Sequence, residues 1–374
     1  MRYTESMQAF SKHRGFFDFF PPPRFLSMSA AGIDISDTSI KFFELPSASN
    51  GGKAGRFGEE SIPEGFITGG LIQNKTAVQN SISGFQKKYN LSFVRVAYPE
   101  KKSYLVELSL PLQSSQSLRA AVEAQFEEWV PLKREEVIFD FDVVAVLEKE
   151  KIVRVQISAV SKELARSYEM VFKNAGLTPI AFETESQALA RAIVPKDESK
   201  TVLLVDIGKK ETTFAIVRNG FARFTASLDI GGETLTRALS DARALPFAKA
   251  EETKRAYGVL PSLQNKEVAE IILKQFKPVE EKIREYMSYE EGARAPYGKK
   301  ISVERVIMCG GGSNIPGLTE HLSAALALPV TLANPWANIL SFDECIPDMS
   351  FGESLRYGTA MGLVMPQSGI RYRE

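Results

Sequence analysis

The chain contains one short unit twice. Gly32-Ile33-Asp34-Ile35-Ser36 and Val205-Asp206-Ile207-Gly208 each bring an apolar run to an end in Asp-Ile, and each continues into a polar turn. The first turn, Ser36-Asp37-Thr38-Ser39, opens onto the apolar residues 40–45, and the second, Gly208-Lys209-Lys210-Glu211, onto residues 212–217. Both units read as strand, turn, strand. Duplicated hairpins predict an α/β chain of two related lobes that face each other across a cleft. Turns of this kind present successive backbone N–H groups to an anion. An aspartate at the end of each strand suits a divalent cation held through water. The expected ligand is therefore a nucleotide phosphate chain with Mg2+, and Asp34 and Asp206 organise the metal rather than attack.

Length and composition limit the alternatives. At 374 residues the chain exceeds one ordinary core and predicts at least two lobes. Its 46 basic and 46 acidic residues balance to zero net charge, so no global field draws it to nucleic acid or anionic lipid. The two cysteines, Cys309 and Cys345, cannot make a disulfide framework and fit a reducing compartment. With only His13 and His321, a histidine triad or zinc site is excluded, leaving carboxylates, lysines and metal to carry any chemistry. The aromatic stretch at residues 15–26 is interrupted by Asp18 and Pro21-Pro22-Pro23, and so reads neither as a signal peptide nor as a membrane span. Residues 1–29 read as an extended arm, stiffened by the prolines, that docks on a partner or membrane or packs back on its own body.

The remaining pattern predicts a first lobe over residues 30–198, a second over 199–335 and a return to the first over 336–374. Residues 49–58 read as a glycine-rich loop. Within the first lobe, residues 101–160 alternate between periods of 2 and about 3.6, as a separate inserted subdomain would: Tyr104, Val106, Leu108 and Leu110 on a strand, Leu118, Val122, Phe126 and Trp129 on a helix, then two more strands. Three features of the second lobe point to a ligand. Gly231-Gly232 follows a strand, Glu251-x-x-Lys254 lies on a helix, and Gly310-Gly311-Gly312-Ser313 joins a buried strand to a helix. Each has a plainer reading as a tight connection or a solvated helix face. Their order along the chain carries the argument.

That order, over residues 31–365, resembles the actin-like ATPase superfamily, whose two lobes clamp ATP between two phosphate hairpins. Within it, Glu127-Glu128-Trp129-Val130-Pro131-Leu132, Ala250-Glu251-Glu252-Thr253-Lys254-Arg255 and Asn334-Pro335-Trp336 resemble the PilM family of type IV pilus assembly. The insert is similar to the extra subdomain that this family shares with the FtsA family. The resemblance implies that Asp34, Ser36, Asp37, Thr38, Ser39 and Lys41, with Asp206, Gly208, Lys209, Thr212 and Thr213, hold the phosphates. Gly310, Gly311, Gly312, Ser313, Glu251 and Lys254 border the adenosine, and Gly231 and Gly232 line the cleft. Glu185 sits where the DnaK-type chaperones place a water-orienting acid; an exposed carboxylate at a helix start is the other reading. The family places glycine after the first Asp-Ile pair, whereas this chain has Ser36-Asp37. A carboxylate there repels phosphate unless magnesium or Lys41 compensates, so hydrolysis is expected to be weak or absent.

The function implied is a cytoplasmic ATP-binding assembly platform, peripheral at the inner face of the cell membrane. Its partners would be the N-terminal tail of a PilN-like bitopic membrane protein, other pilus assembly proteins and further copies of itself, with the tail bound beside the insert. Two other readings share the fold. An FtsA-like filament protein would need a membrane-seeking terminus, for which residues 366–374 are too short and polar and the aromatic arm would have to serve. A small-molecule kinase would need a carboxylate base aimed at a bound hydroxyl, and no sugar-site motif accompanies the hairpins. A DnaK-type chaperone would need a peptide-binding domain beyond the nucleotide-binding body.

Overall fold

The structure, a computed structural model, describes residues 30–45, 55–112, 115–195, 198, 200–260, 265–287, 302–340, 342–343 and 346–365. The arm at residues 1–29, Cys345 and residues 366–374 lie outside the described residues. The first unit begins with β1 (Ala31–Ile35), β2 (Ser39–Glu44) and β3 (Arg56–Ser61), an antiparallel meander. A two-stranded ribbon, β4 (Ile67–Thr68) and β5 (Leu71–Ile72), leads to α1 (Lys75–Tyr89). That helix starts where the Asn74 side chain accepts from the Ala77 N–H and stops at Asn90 in the left-handed conformation. It buries Val78, Ile82 and Phe85 on one face, and β6 (Phe93–Tyr98) then returns parallel to β1.

Here the insert interrupts the lobe. It comprises β7 (Ser103–Pro111), α2 (Ser115–Trp129), β8 (Val137–Leu147) and β9 (Ile152–Ser161), forming an antiparallel sheet of order β7-β9-β8. Leu118, Val122 and Phe126 project from α2 into a core with Leu108, Val155 and Ile157. α3 (Lys162–Asn174), capped by Ser161, brings the chain back to β10 (Thr178–Thr184), parallel to β6. The first sheet therefore has the order β10-β6-β1-β2-β3.

α4 (Glu185–Ile193) crosses to a second unit with the same wiring. β11 (Val202–Ile207), β12 (Thr212–Arg218) and β13 (Phe221–Leu228) form the meander. α5 (Gly232–Arg243), α6 (Phe247–Tyr257) and α7 (Lys266–Met287) follow. β14 (Arg305–Cys309), α8 (Leu318–Leu326) and β15 (Val330–Leu332) then complete a sheet of order β13-β12-β11-β14-β15. In both sheets the first strand lies at the centre, its meander on one side and two parallel strands on the other. The repeated hairpin thus belongs to a repeated five-stranded sheet, and the insert stands between the fourth strand and the crossover helix of the first copy alone.

After α9 (Phe351–Ser354), the last described helix, α10 (Gly358–Val364), packs against α4, β1, β2 and β6. α4 and α10 lie between the two sheets and share a core with both. Phe43, Leu189 and Ile193 meet Val202, Leu204 and Ile307, together with Trp336, Tyr357 and Met361. Phe43 and Trp336 meet edge to face at 5.7 Å. Glycine permits this approach: a Cβ on Gly362 would collide with the Ala188 carbonyl, and one on Gly32 with the Ala360 carbonyl.

Two local expectations differ from the structure. The loop reading of residues 49–58 fails at its end, because β3 begins at Arg56 and includes Gly58. A Cβ on Gly58 would lie 2.6 Å from the Tyr89 ring, so this glycine makes room for an aromatic on the facing helix. The short strands β10 and β15 and the helix α10 were not legible as elements, because tertiary packing rather than local periodicity sustains them.

Gly362→Ala is expected to destabilise the protein by about 2–4 kcal/mol through backbone overpacking, read as a lowered urea midpoint. Gly84→Ala is the control. That glycine lies inside α1 with open space around it, and alanine there should stabilise by about 0.5–1 kcal/mol.

Candidate functional site

A cleft of about 440 Å³ opens where the hairpin turns of the two sheets face each other. Its size lies within the range usual for small-molecule sites. Asp34 on β1 stands opposite Lys41 on β2 in the strand register, and Lys41 Nζ lies 3.2 Å from Asp34 Oδ2. Burial works to lower the Lys41 ammonium, but Asp34 and Glu59 outweigh it and hold its pKa above the ordinary lysine value. Within the turn, Ser36 Oγ accepts from the N–H groups of Thr38 at 3.4 Å and Ser39 at 3.2 Å. Asp37 faces the ribbon, its carboxylate accepting from the Gly69 N–H at 2.7 Å and the Gly70 N–H at 3.0 Å. Lys41 therefore neutralises Asp34, and backbone amides of the β4–β5 turn occupy Asp37.

The second hairpin relies on clearance. Gly208, Gly232 and Gly312 donate their own N–H groups to Glu211, Gly208 and Ile207 carbonyls at 2.8–2.9 Å. Gly310, at φ +81, has no room for a Cβ beside Asp206, and a Cβ on Gly231 would come within 2.5 Å of the Lys209 carbonyl oxygen. These glycines let the hairpin, the start of α5 and the turn after β14 stack backbone on backbone. Lys209 lines the cleft, whereas Lys210 pairs with Glu64 of the first unit at 3.0 Å. Asp206 is pushed up to about 7 by burial first and by Asp34 and Glu211, against the pull of Lys41.

Beneath the second wall, the reading of Glu251-x-x-Lys254 as a solvated helix pair gives way to a buried network. Lys254 Nζ donates to Gly232 O at 2.8 Å and to Thr236 Oγ1 and Glu251 Oε2 at 2.7 Å each, and its side chain is 4% exposed. Burial works to raise Glu251, but bonds from Lys254, Thr236 and Arg255 bring it down to about 2. Phe247, Arg255 and Arg356 join this rim, with Arg356 packed over Gly311 and paired with Glu59 across the cleft.

Of the residues expected from the sequence, Asp34, Ser36, Asp37, Thr38, Ser39, Lys41, Glu185, Asp206, Gly208, Lys209, Thr213, Gly232, Glu251, Lys254, Gly310, Gly311 and Gly312 line the cleft. Thr212, Gly231 and Ser313 do not. Thr212 donates its hydroxyl to Ile230 O at 2.6 Å, Ser313 donates to Gly310 O at 2.7 Å, and Gly231 is covered by the Lys209 backbone. Glu185 at the start of α4 is half-buried rather than exposed, and its pKa is raised by burial, Asp34, Glu100 and Glu211. Sequence reasoning missed Lys101, Glu211, Glu59 and Arg356. Their types carry no motif, and the signal that finds them is contact across the cleft.

Among the described residues, no group of three or more His, Cys, Asp or Glu is placed to hold a metal directly. Asp34 already has its lysine, and Asp206 is a half-buried acid without an ion pair of its own among the described residues. This arrangement fits a hydrated cation that arrives with a ligand's phosphates, and not a preformed cage. Because folded Asp206 binds its proton more tightly than the unfolded chain does, it favours the folded state most at acid pH. That contribution is lost as pH rises from the ordinary aspartate value through about 7. Asp206→Asn should flatten stability between pH 4 and 7 and add about 1–2 kcal/mol at pH 8, measured by urea titration at each pH.

Comparison with known proteins gives the same architecture. The family described as "Type IV pilus assembly protein PilM" matches residues 32–368. The solved PilM-PilN type IV pilus biogenesis complex superposes with a TM-score of 0.71 at 20% identity, covering 90% of this chain and 98% of that one. The ethanolamine utilization protein EutJ from Carboxydothermus hydrogenoformans gives 0.53 at 16% identity, covering 92% and 90%. Cell division protein FtsA of Neisseria meningitidis is 23% identical over 199 residues, 49% of this chain and 48% of that one. The chain thus spans about half the length of the curated relatives it matches. With two like-wired sheets enclosing one cleft, the fold is that of the actin-like ATPases, and the chain belongs to the PilM family of type IV pilus assembly proteins.

Proposed function

We propose that this protein is an ATP-binding assembly platform, cytoplasmic and peripheral at the inner face of the cell membrane, that captures the N-terminal tail of a PilN-like membrane protein. The observation that carries the nucleotide part is the cleft itself. Two hairpin turns, Asp34 with its lysine, the half-buried acid Asp206 and the Glu251–Lys254 wall converge on one opening of nucleotide size. The phosphate chain lies between Thr38, Ser39 and Lys41 on one side and Gly208, Lys209 and Thr213 on the other. Adenosine lies toward Glu251, Lys254 and residues 310–312. Mg2+ supplies neutralisation of phosphate charge, with Asp34 and Asp206 facing its water shell. Asp37 does not oppose this reading, since its charge is satisfied by the Gly69 and Gly70 amides. The Thr38 and Ser39 amides, already bonded to Ser36 Oγ, must exchange that partner for phosphate, which limits affinity.

The tail reading rests on family membership and on the insert, whose outer strand β8 pairs with β9 alone among the described residues and exposes Ile138. An open strand edge beside an apolar side chain suits capture of a short peptide by strand addition. No helix among the described residues is long and apolar enough to cross a membrane, so attachment through a partner's tail accounts for the peripheral location.

Calorimetry with Mg-ATP should give binding that Asp206→Ala weakens at least about tenfold and Ser36→Gly strengthens by freeing the turn amides. A synthetic PilN-like tail that binds the protein while Mg-ATP does not would reduce the cleft to a relic and leave the scaffold.

A further inference from the structure

Residues 99–102, where the chain leaves β6 for the insert, touch three walls of the cleft. Gly70, whose amide holds Asp37, lies so close to Pro99 that no Cβ fits between them, and Tyr168 of α3 donates its hydroxyl to Gly70 O at 2.8 Å. Glu100 and Glu185 bracket each other. The Glu100 N–H donates to Glu185 Oε2 at 3.2 Å, and the Ser186 N–H donates to Glu100 Oε2 at 2.9 Å. Glu100 is 4% exposed, and its Oε1 is buried without a hydrogen-bond partner among the described residues. Lys101 crosses to the second unit, 2.5 Å from Glu211 and paired also with Asp229. Further along the insert, Glu107 of β7 pairs with Arg223, and Gln156 of β9 bonds the Ala222 carbonyl, both on β13.

We propose that Glu100 and Lys101 are positioning residues that couple the insert to the cleft, Glu100 by fixing Glu185 and Lys101 by fixing Glu211. The inference rests on the cleft being a nucleotide site and adds how its state reaches the insert. Lys101 and Glu211 both line the opening, so an arriving phosphate chain competes for the lysine and an arriving cation for the carboxylate. A phosphate chain that takes the lysine releases the insert's root from both Glu211 and Asp229, whereas a cation on Glu211 leaves the Asp229 pair alone to hold it, and the contacts on β13 remain as a pivot. The bridge is partly exposed, with 26% of the lysine and 34% of the glutamate accessible, so opening it costs little. Because coupling is reciprocal, whatever binds the insert alters cleft affinity by the same factor. Burial, acting first, keeps the Glu100 carboxyl above the usual range. What α4 needs from it is an acceptor for the Ser186 N–H, which glutamine also supplies.

Hydrogen exchange on the full chain, free and saturated with Mg2+ and AMPPNP, tests this. In the wild type, exchange should slow in the hairpin at residues 206–213 and change by about fivefold or more in β7. In Lys101→Met at saturating nucleotide the hairpin should still respond and β7 should not. Glu100→Gln should behave as wild type, whereas Glu100→Ala should lose protection at the start of α4. A β7 response that survives Lys101→Met, or a wild-type β7 that ignores an occupied hairpin, overturns the coupling. If the wild-type hairpin itself does not respond, the nucleotide reading falls, and coupling is judged in the ligand-free protein. There Lys101→Glu should speed exchange in β7 and β12 together, and adding Glu211→Lys should restore both. Independent behaviour of the two strands refutes it.

Discussion

The close approach of α10 to α4 and β1 is the contact on which the molecule depends. Three backbone segments meet where Gly362 faces the Ala188 carbonyl and Gly32 faces the Ala360 carbonyl, with no space for a side chain. This builds a shared core between the units' own cores, since residues of both sheets pack on the same pair of helices. A close-packed interior of this kind has few alternative arrangements. At the rim, by contrast, the bridges Lys210–Glu64, Lys101–Glu211 and Arg356–Glu59 are partly exposed. Surface ion pairs each contribute about 0–1 kcal/mol, which suits contacts that must form and break. A rigid floor with an ionic rim is a reasonable physical description of a clamp.

The two hairpins share wiring but have diverged in how they manage charge. In the first, the cation is a neighbour in the strand register, and the extra hydroxyl and carboxylate of Ser36-Asp37 are satisfied by nearby amides. In the second, lysines sit in the turn but one is engaged across the cleft, and Asp206 remains a half-buried acid whose pKa its surroundings raise. A zero net charge for the chain conceals this local imbalance, in which burial together with the neighbouring Asp34 and Glu211 raises the cost of ionising Glu185 and Asp206.

Much of this was legible in advance. Asp34-Ile35 and Asp206-Ile207 end apolar runs, and such runs are buried strands because nothing else hides so much hydrocarbon in so few residues. The insert's alternating periods gave its strands and helix, and Pro131 marked where α2 gives way. The same logic misled at Gly58, since a glycine that clears the Tyr89 ring has the same appearance in sequence as a loop. Glu251-x-x-Lys254 kept two readings in the sequence, because an i, i+3 pair on a helix does not declare which face is buried.

The sequence by itself determined the duplicated strand-turn-strand unit and the presence of an insert, because these depend on hydrophobic periodicity and turn chemistry within a few residues. Only the tertiary structure decided which glycines serve backbone clearance and which side chains are spent inside the protein. It alone brought Lys101, Glu211, Glu59 and Arg356 to the cleft and Glu100 behind Glu185. Those outcomes depend on distances between segments far apart in the chain, and no local rule of propensity encodes them.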